Sequence, residues 1–195
     1  MGVKIELYVT LVYDNPYVAY VLFPYLEMNN IILDEGKLRD LPYRHRLDKC
    51  TSIIKSEADE SLRWDAVWLA GEIAELNPNT LLFDEVSELM VWVLKNDNNG
   101  VVKHEACYQI AARNMRNKIP NLIETALNDT SVIAKHEAIE SLGLMRAFDS
   151  KDLLLKAMDD PDPNVKETAA FVLKRLNRLA KLEAKNKEYK PSSIL

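Results

Sequence analysis

Two of the three histidines in this chain are each followed by glutamate, His104-Glu105 and His136-Glu137. Both pairs fall at the same place in a repeated helical pattern, so superposed repeats bring them side by side on adjacent helices. Neighbouring helix axes lie about 8–10 Å apart. Two imidazoles reaching into that gap could share one metal ion, with bonds near roughly 2.0–2.1 Å for a first-row ion such as zinc. A carboxylate from the same turn would complete a two-histidine, one-carboxylate set with open positions, an arrangement suited to non-haem Fe(II) and oxygen. The plainer alternative is that His104 and His136 line a solvated face while their glutamates cap or pair locally. His45, in Tyr43-Arg-His-Arg46, has no glutamate beside it and reads as a surface residue.

The elements that must position these pairs announce themselves as a repeat. Four segments align on a shared alanine: Ser61-Leu-Arg-Trp-Asp-Ala66, Val101-Val-Lys-His-Glu-Ala106, Ile133-Ala-Lys-His-Glu-Ala138 and Asn164-Val-Lys-Glu-Thr-Ala169. The alanines lie 40, 32 and 31 residues apart. A basic residue stands three places before each one (Arg63, Lys103, Lys135, Lys166), and small residues follow at Gly71, Ala111 and Gly143, where helices must approach closely. Between these segments, Ile119, Leu122, Ile123, Ala126 and Leu127 keep the spacing of an amphipathic helix, with Pro120 in its first turn. Leu82, Val86, Leu89, Met90 and Val93 do the same one repeat earlier, and Leu153 to Met158 one repeat later. Asp97-Asn-Asn-Gly100, Asn128-Asp-Thr-Ser131 and Asp160-Pro-Asp-Pro-Asn164 punctuate the pairs and supply N-caps. A two-helix unit of about 31–40 residues that stacks on its neighbours predicts an all-α solenoid of about four HEAT-like helix pairs.

That solenoid should occupy residues 44–179. Residues 1–43 form an N-terminal extension: Val3, Ile5, Leu7, Val9 and Leu11 alternate with Lys4, Glu6, Tyr8 and Thr10, Asp14-Asn15-Pro16 reads as a turn, and Tyr17–Phe23 as a return strand. The expected β-hairpin would have to pack on the solenoid or pair with another chain. Residues 180–195 read as a charged tail, the end of a stretch from Lys174 to Lys190 holding seven Lys or Arg against two Glu.

The composition, 48% hydrophobic and 28% charged with 5 glycines, is that of a globular chain. A formal charge of −5 argues against a nucleic-acid partner, because phosphate neutralisation needs a basic surface. Cys50 and Cys107 are too few for a disulfide framework and read as buried thiols. No basic, apolar and small-residue leader is seen, and the longest apolar stretch, Tyr17 to Tyr25, is too short to span a bilayer. A cytoplasmic protein without a membrane partner is the expectation.

Lys103-His-Glu-Ala-Cys-Tyr-Gln-Ile110 and Ala134-Lys-His-Glu-Ala-Ile-Glu-Ser-Leu-Gly143 resemble the consecutive His-Glu motifs of deoxyhypusine hydroxylase. The linking helix Lys118–Leu127 and the closing Val165–Leu176 are similar in kind, so the resemblance runs from about Ser61 to Leu179, one symmetric half of that enzyme. It implies a HEAT-repeat dyad with four such motifs, two per half, holding two irons that activate oxygen to hydroxylate a lysine-derived side chain on a translation factor. It further implies His104, His136 and Glu137 as iron ligands, with Glu105 beside the metal and facing substrate as the catalytic residue. This chain has two motifs rather than four, so the full centre would need a symmetric homodimer; otherwise the site holds one metal or none. The segment before Arg44 has no counterpart in the resemblance.

Three functions follow as candidates: an iron-dependent monooxygenase acting on a protein substrate, a non-catalytic scaffold binding a protein partner on its concave face, and a chromophore lyase or chaperone of the phycobilin-lyase type. No phosphate-cradling glycine loop or nucleophile elbow points elsewhere. Trp64, Trp68 and Trp92 read as core, with Trp64, which stands where the motif has His, able to wall the site.

Overall fold

A computed structural model of the chain describes residues 33–185, which are helical and, among those described, contain no strand. The hairpin expected at Val3–Phe23 lies outside the described residues, as does the chain beyond Lys185. The chain divides into two units, Met1–Asp40 and Leu41–Leu195. In the first, helix α1 (Glu35–Arg39) is capped by Asp34, whose carboxylate accepts the Lys37 N–H.

The second unit contains eight described α-helices in four antiparallel pairs: α2 (Tyr43–Ser56) with α3 (Glu60–Leu76), α4 (Leu81–Asn96) with α5 (Gly100–Ala112), α6 (Ile119–Asn128) with α7 (Val132–Leu144), and α8 (Lys151–Ala157) with α9 (Pro163–Lys185). The second helices form one layer in which α5 packs between α3 and α7, and α7 between α5 and α9. The first helices form the other layer, α2 on α4, α4 on α6 and α6 on α8. This is the all-α solenoid the repeat predicted. Its last helix continues past Leu179 to Lys185.

The shared alanines explain the spacing. Ala66, Ala106, Ala138 and Ala169 are fully buried at the centre of the layer, where a larger side chain would push the helices apart. Gly71 allows a still closer approach, because a Cβ there would lie 1.9 Å from Gln109 Oε1. Gly143 does the same against Val172.

Each turn inside a pair is built alike. Asp59, Asn99 and Ser131 cap α3, α5 and α7 through their side chains. Two residues before each cap, a carboxylate folds back onto the cap's own N–H: Glu57 on Asp59, Asp97 on Asn99 and Asp129 on Ser131, with Asp160 on Asp162 ahead of α9. In the first three copies the basic residue three before the alanine then reaches across to the next repeat's carboxylate. Arg63 binds Asp97 at 2.8 Å, Lys103 binds Asp129 at 2.6 Å and Lys135 binds Asp160 at 2.7 Å. These rungs lock the stacking register between neighbours, which is why the basic residue recurs.

Candidate functional site

Because α5 and α7 lie side by side in register, each histidine meets the next helix at the position just before its alanine. His104 Nε2 lies 3.2 Å from Glu137 Oε2. His136 makes the same step to α9, where Thr168 stands in place of glutamate: His136 Nδ1 is 2.7 Å from Thr168 Oγ1. The Thr168 hydroxyl spends its hydrogen on the Asn164 carbonyl, at 2.7 Å. Its oxygen can therefore only accept, so His136 carries a hydrogen on Nδ1 and, when neutral, a lone pair on Nε2. Glu140 Oε2, one turn further along α7, lies 3.8 Å from that Nε2. Both imidazoles are about one-third exposed, at 37% and 38%.

The glutamates are buried. Glu137 is held near Ser141, whose hydroxyl donates to the Cys107 carbonyl across the α5–α7 interface at 3.0 Å and lies 3.4 Å from Glu137 Oε1. Glu105 accepts from Gln109 Nε2 at 2.6 Å. Burial pushes the Glu105 carboxyl above the usual glutamate range, with Gln109 and His104 opposing and Glu137 reinforcing the shift. Gln109 Oε1, wedged against Gly71, is buried with no hydrogen-bond partner among the described residues.

His104 is displaced the other way. Its hydrogen bond to Glu137 favours the imidazolium and raises its pKa above 6.5, against the cost of partial burial. A histidine raised on folding contributes stability that is complete below its unfolded pKa and fades as pH rises through the folded value. An NMR titration of His104 should therefore give a midpoint above 6.5, falling back toward it in Glu137→Gln. A wild-type midpoint at or below 6.5 would mean the two side chains do not pair in solution.

Aromatic rings continue this face toward α3. Trp64 and Trp68 stack at 6.1 Å between centroids, and Trp68 and Tyr108 at 6.3 Å with their planes 4° apart. Trp68 also donates its indole N–H to Glu72 at 3.2 Å. The tryptophans are half-buried rather than core, Trp92 included, because rings on the open sides of a two-layer stack are covered on one face only. Trp64 occupies the repeat position of His104 on α3, the helix packed against α5. Cys50 and Cys107 are the buried free thiols expected; burial pushes Cys50 up to about 12 and Cys107 well above the ordinary thiol range. His45 is exposed.

Of the residues singled out by sequence, the structure brings His104 and Glu137 into contact and places Glu105 close enough to feel both their charges. His136, one residue before Glu137 on α7, is instead oriented toward α9 by Thr168, and among the described residues no group of three or more His, Cys, Asp or Glu converges tightly enough to hold a metal ion. A carboxylate and an imidazole nitrogen about 3 Å apart nevertheless match neighbouring ligands on one first-row ion, whose bonds are about 2.0–2.2 Å. Gln109 was missed by sequence reasoning, and Thr168 was aligned with the motif but not read as part of the site. The only available signal was position, since Thr168 sits where the other copies carry Asp or Glu.

A family profile for HEAT repeats matches residues 87–174. The chain is 33% identical to deoxyhypusine hydroxylase of Arabidopsis thaliana over 93 residues, which is 46% of this chain and 29% of that protein. It is likewise 33% identical to the deoxyhypusine hydroxylases of Danio rerio, over 97 residues (48% and 32%), and Saccharomyces cerevisiae, over 84 residues (42% and 26%). The match thus covers 26–32% of the length of these relatives. The chain is a HEAT-repeat protein resembling deoxyhypusine hydroxylase. Among the described residues no helix is long and apolar enough to cross a membrane.

Proposed function

We propose that this chain is a hydroxylase-type HEAT protein in which His104, His136 and Glu137 hold iron. The observation that carries the reading is the pairing of His104 Nε2 with Glu137 Oε2 at 3.2 Å, made by two motifs that stacking brings into register. The donor set is imidazole and carboxylate, the chemistry that ferrous iron takes. Iron, when bound, supplies the activation of oxygen; the protein's own groups orient and shield. Thr168 sets the His136 tautomer so that Nε2 is the nitrogen left to bind metal, a supporting hydrogen bond that tunes ligand basicity. The Ser141 oxygen sits beside the Glu137 carboxylate. Burial raises the Glu105 carboxyl above the range of an exposed glutamate, beside His104 and Glu137. The half-buried Trp64–Trp68–Tyr108 row favours a cationic side chain on a protein substrate, in keeping with a lysine-derived one. A two-iron centre would need a second copy facing the first in a symmetric homodimer.

A non-catalytic scaffold with a protein partner is the second reading, and one observation favours it: no three-ligand group is assembled among the described residues. Metal content decides between them. Tag-free protein loaded anaerobically with ferrous iron should retain near-stoichiometric metal, and His104→Ala and His136→Ala should each lose it while keeping the wild-type helical circular dichroism. Wild-type protein that retains no iron, or either variant that retains all of it, would leave the scaffold.

A further inference from the structure

The ladder of rungs has two loose ends. Arg63, Lys103 and Lys135 are 10–15% exposed because each is covered by the repeat that follows and bonded to its acid. Lys166, the fourth member, is exposed; it lies near Asp160, but that carboxylate is already bonded to Lys135. The residues around Lys166 show the same openness. The position one after the shared alanine is fully buried in α3, α5 and α7 (Val67, Cys107, Ile139) yet exposed in α9, at Ala170. The position four after is buried at Ala70, Ile110 and Leu142 yet half-exposed at Leu173. Ala170 and Leu173 line a groove of about 580 Å³ along α9, floored by Met158 and Leu182 and rimmed by Lys174, Arg178 and Lys181. This groove is the face on which every earlier second helix receives the next repeat.

At the other end of the ladder, Glu57 occupies the position of Asp97, Asp129 and Asp160. It folds onto the Asp59 N–H as they fold onto their caps, but among the described residues no cation pairs with it. Beside it, Asp59 and Glu60 are exposed at the start of α3, acids opposite in charge to the α9 rim; further along the helix Glu72 pairs with Arg46 and Glu75 with Arg113 within the chain. We propose that the α9 groove is an interaction surface for a second copy of this chain, stacked head to tail so that Lys166 of one copy forms the missing rung with Glu57 of the next. The contact is heterologous, unlike the two-fold arrangement suggested for the iron site, and does not depend on metal.

Sedimentation velocity of the full chain over a wide concentration range tests this. The wild type should show an average mass that rises with concentration. Lys166→Glu and Glu57→Lys should each loosen association by about tenfold, the scale of one surface pair replaced by a like-charge contact. The double variant Lys166→Glu/Glu57→Lys should restore it, as should mixing the two single variants. Lys166 is exposed and Glu57 half-buried, so circular dichroism should be unchanged in all of them, with a small drop in melting temperature wherever Glu57→Lys gives up the Asp59 N–H. A wild type that stays monomeric throughout would overturn the proposal. So would an assembly that stops at a dimer and ignores both substitutions.

Discussion

Replacing Arg63 with methionine is expected to lower the free energy of unfolding by about 3–5 kcal/mol, the scale for removing one partner of a buried ion pair. The guanidinium ties three parts of the structure together. It binds Asp97 through Nε at 2.8 Å and Nη2 at 3.1 Å, and donates to the Glu57 and Ala58 carbonyls of the preceding turn. The Asp97 side chain is 2% exposed, so without Arg63 its carboxylate would be stranded away from water. The loss should therefore come mostly from the orphaned acid. Arg63→Met/Asp97→Asn should recover a large part of it, because the amide can still accept the Asn99 N–H that Asp97 now takes at 2.8 Å. Urea unfolding of the two single variants and the double measures this coupling. A cost below about 1 kcal/mol for Arg63→Met would show the rung to be no stronger than a surface pair.

The second large effect is expected at Gly71. In an exposed helix, glycine to alanine stabilises by about 1 kcal/mol. Here the sign should reverse. The new methyl would lie 1.9 Å from Gln109 Oε1 and 2.4 Å from its Cδ, and Gln109 is fully buried with nowhere to retreat. Gly71→Ala should cost about 1–3 kcal/mol, the usual scale of overpacking. The strain should reach the site as well, since displacing Gln109 removes the 2.6 Å hydrogen bond to Glu105. Gly71→Ala/Gln109→Ala should regain most of the packing loss. If Gly71→Ala instead raises the melting temperature, α3 and α5 have room to separate and the close approach is not required.

The large-scale architecture was legible because periodicity is a local property. The alanines at 66, 106, 138 and 169, the apolar spacing of Ile119 to Leu127 and the capping runs each reflect forces acting within one helix or turn. Those forces are the same in every copy, so their repetition marks the solenoid without any knowledge of tertiary contacts. The recurrent basic residue was visible too, but its purpose was not. Its partner stands 34 residues away for Arg63, 26 for Lys103 and 25 for Lys135, distances that only stacking brings within bonding range.

The same limit applies at the candidate site. Sequence alone determined that His104-Glu105 and His136-Glu137 share a repeat position and therefore a face. It could not determine how far one helix is offset from the next. Stacking sets that offset, so each histidine meets the residue before the neighbouring alanine: His104 meets Glu137, and His136 meets Thr168. One imidazole thus pairs with a carboxylate and the other with a hydroxyl, although their local sequences are nearly alike. Exposure was decided the same way. Glu105 and Glu137 follow their histidines by one residue, about 100° around the helix, and that step turns them from the open side into the packed layer. Which side of a helix is buried depends on its neighbours, and those come from distant parts of the chain.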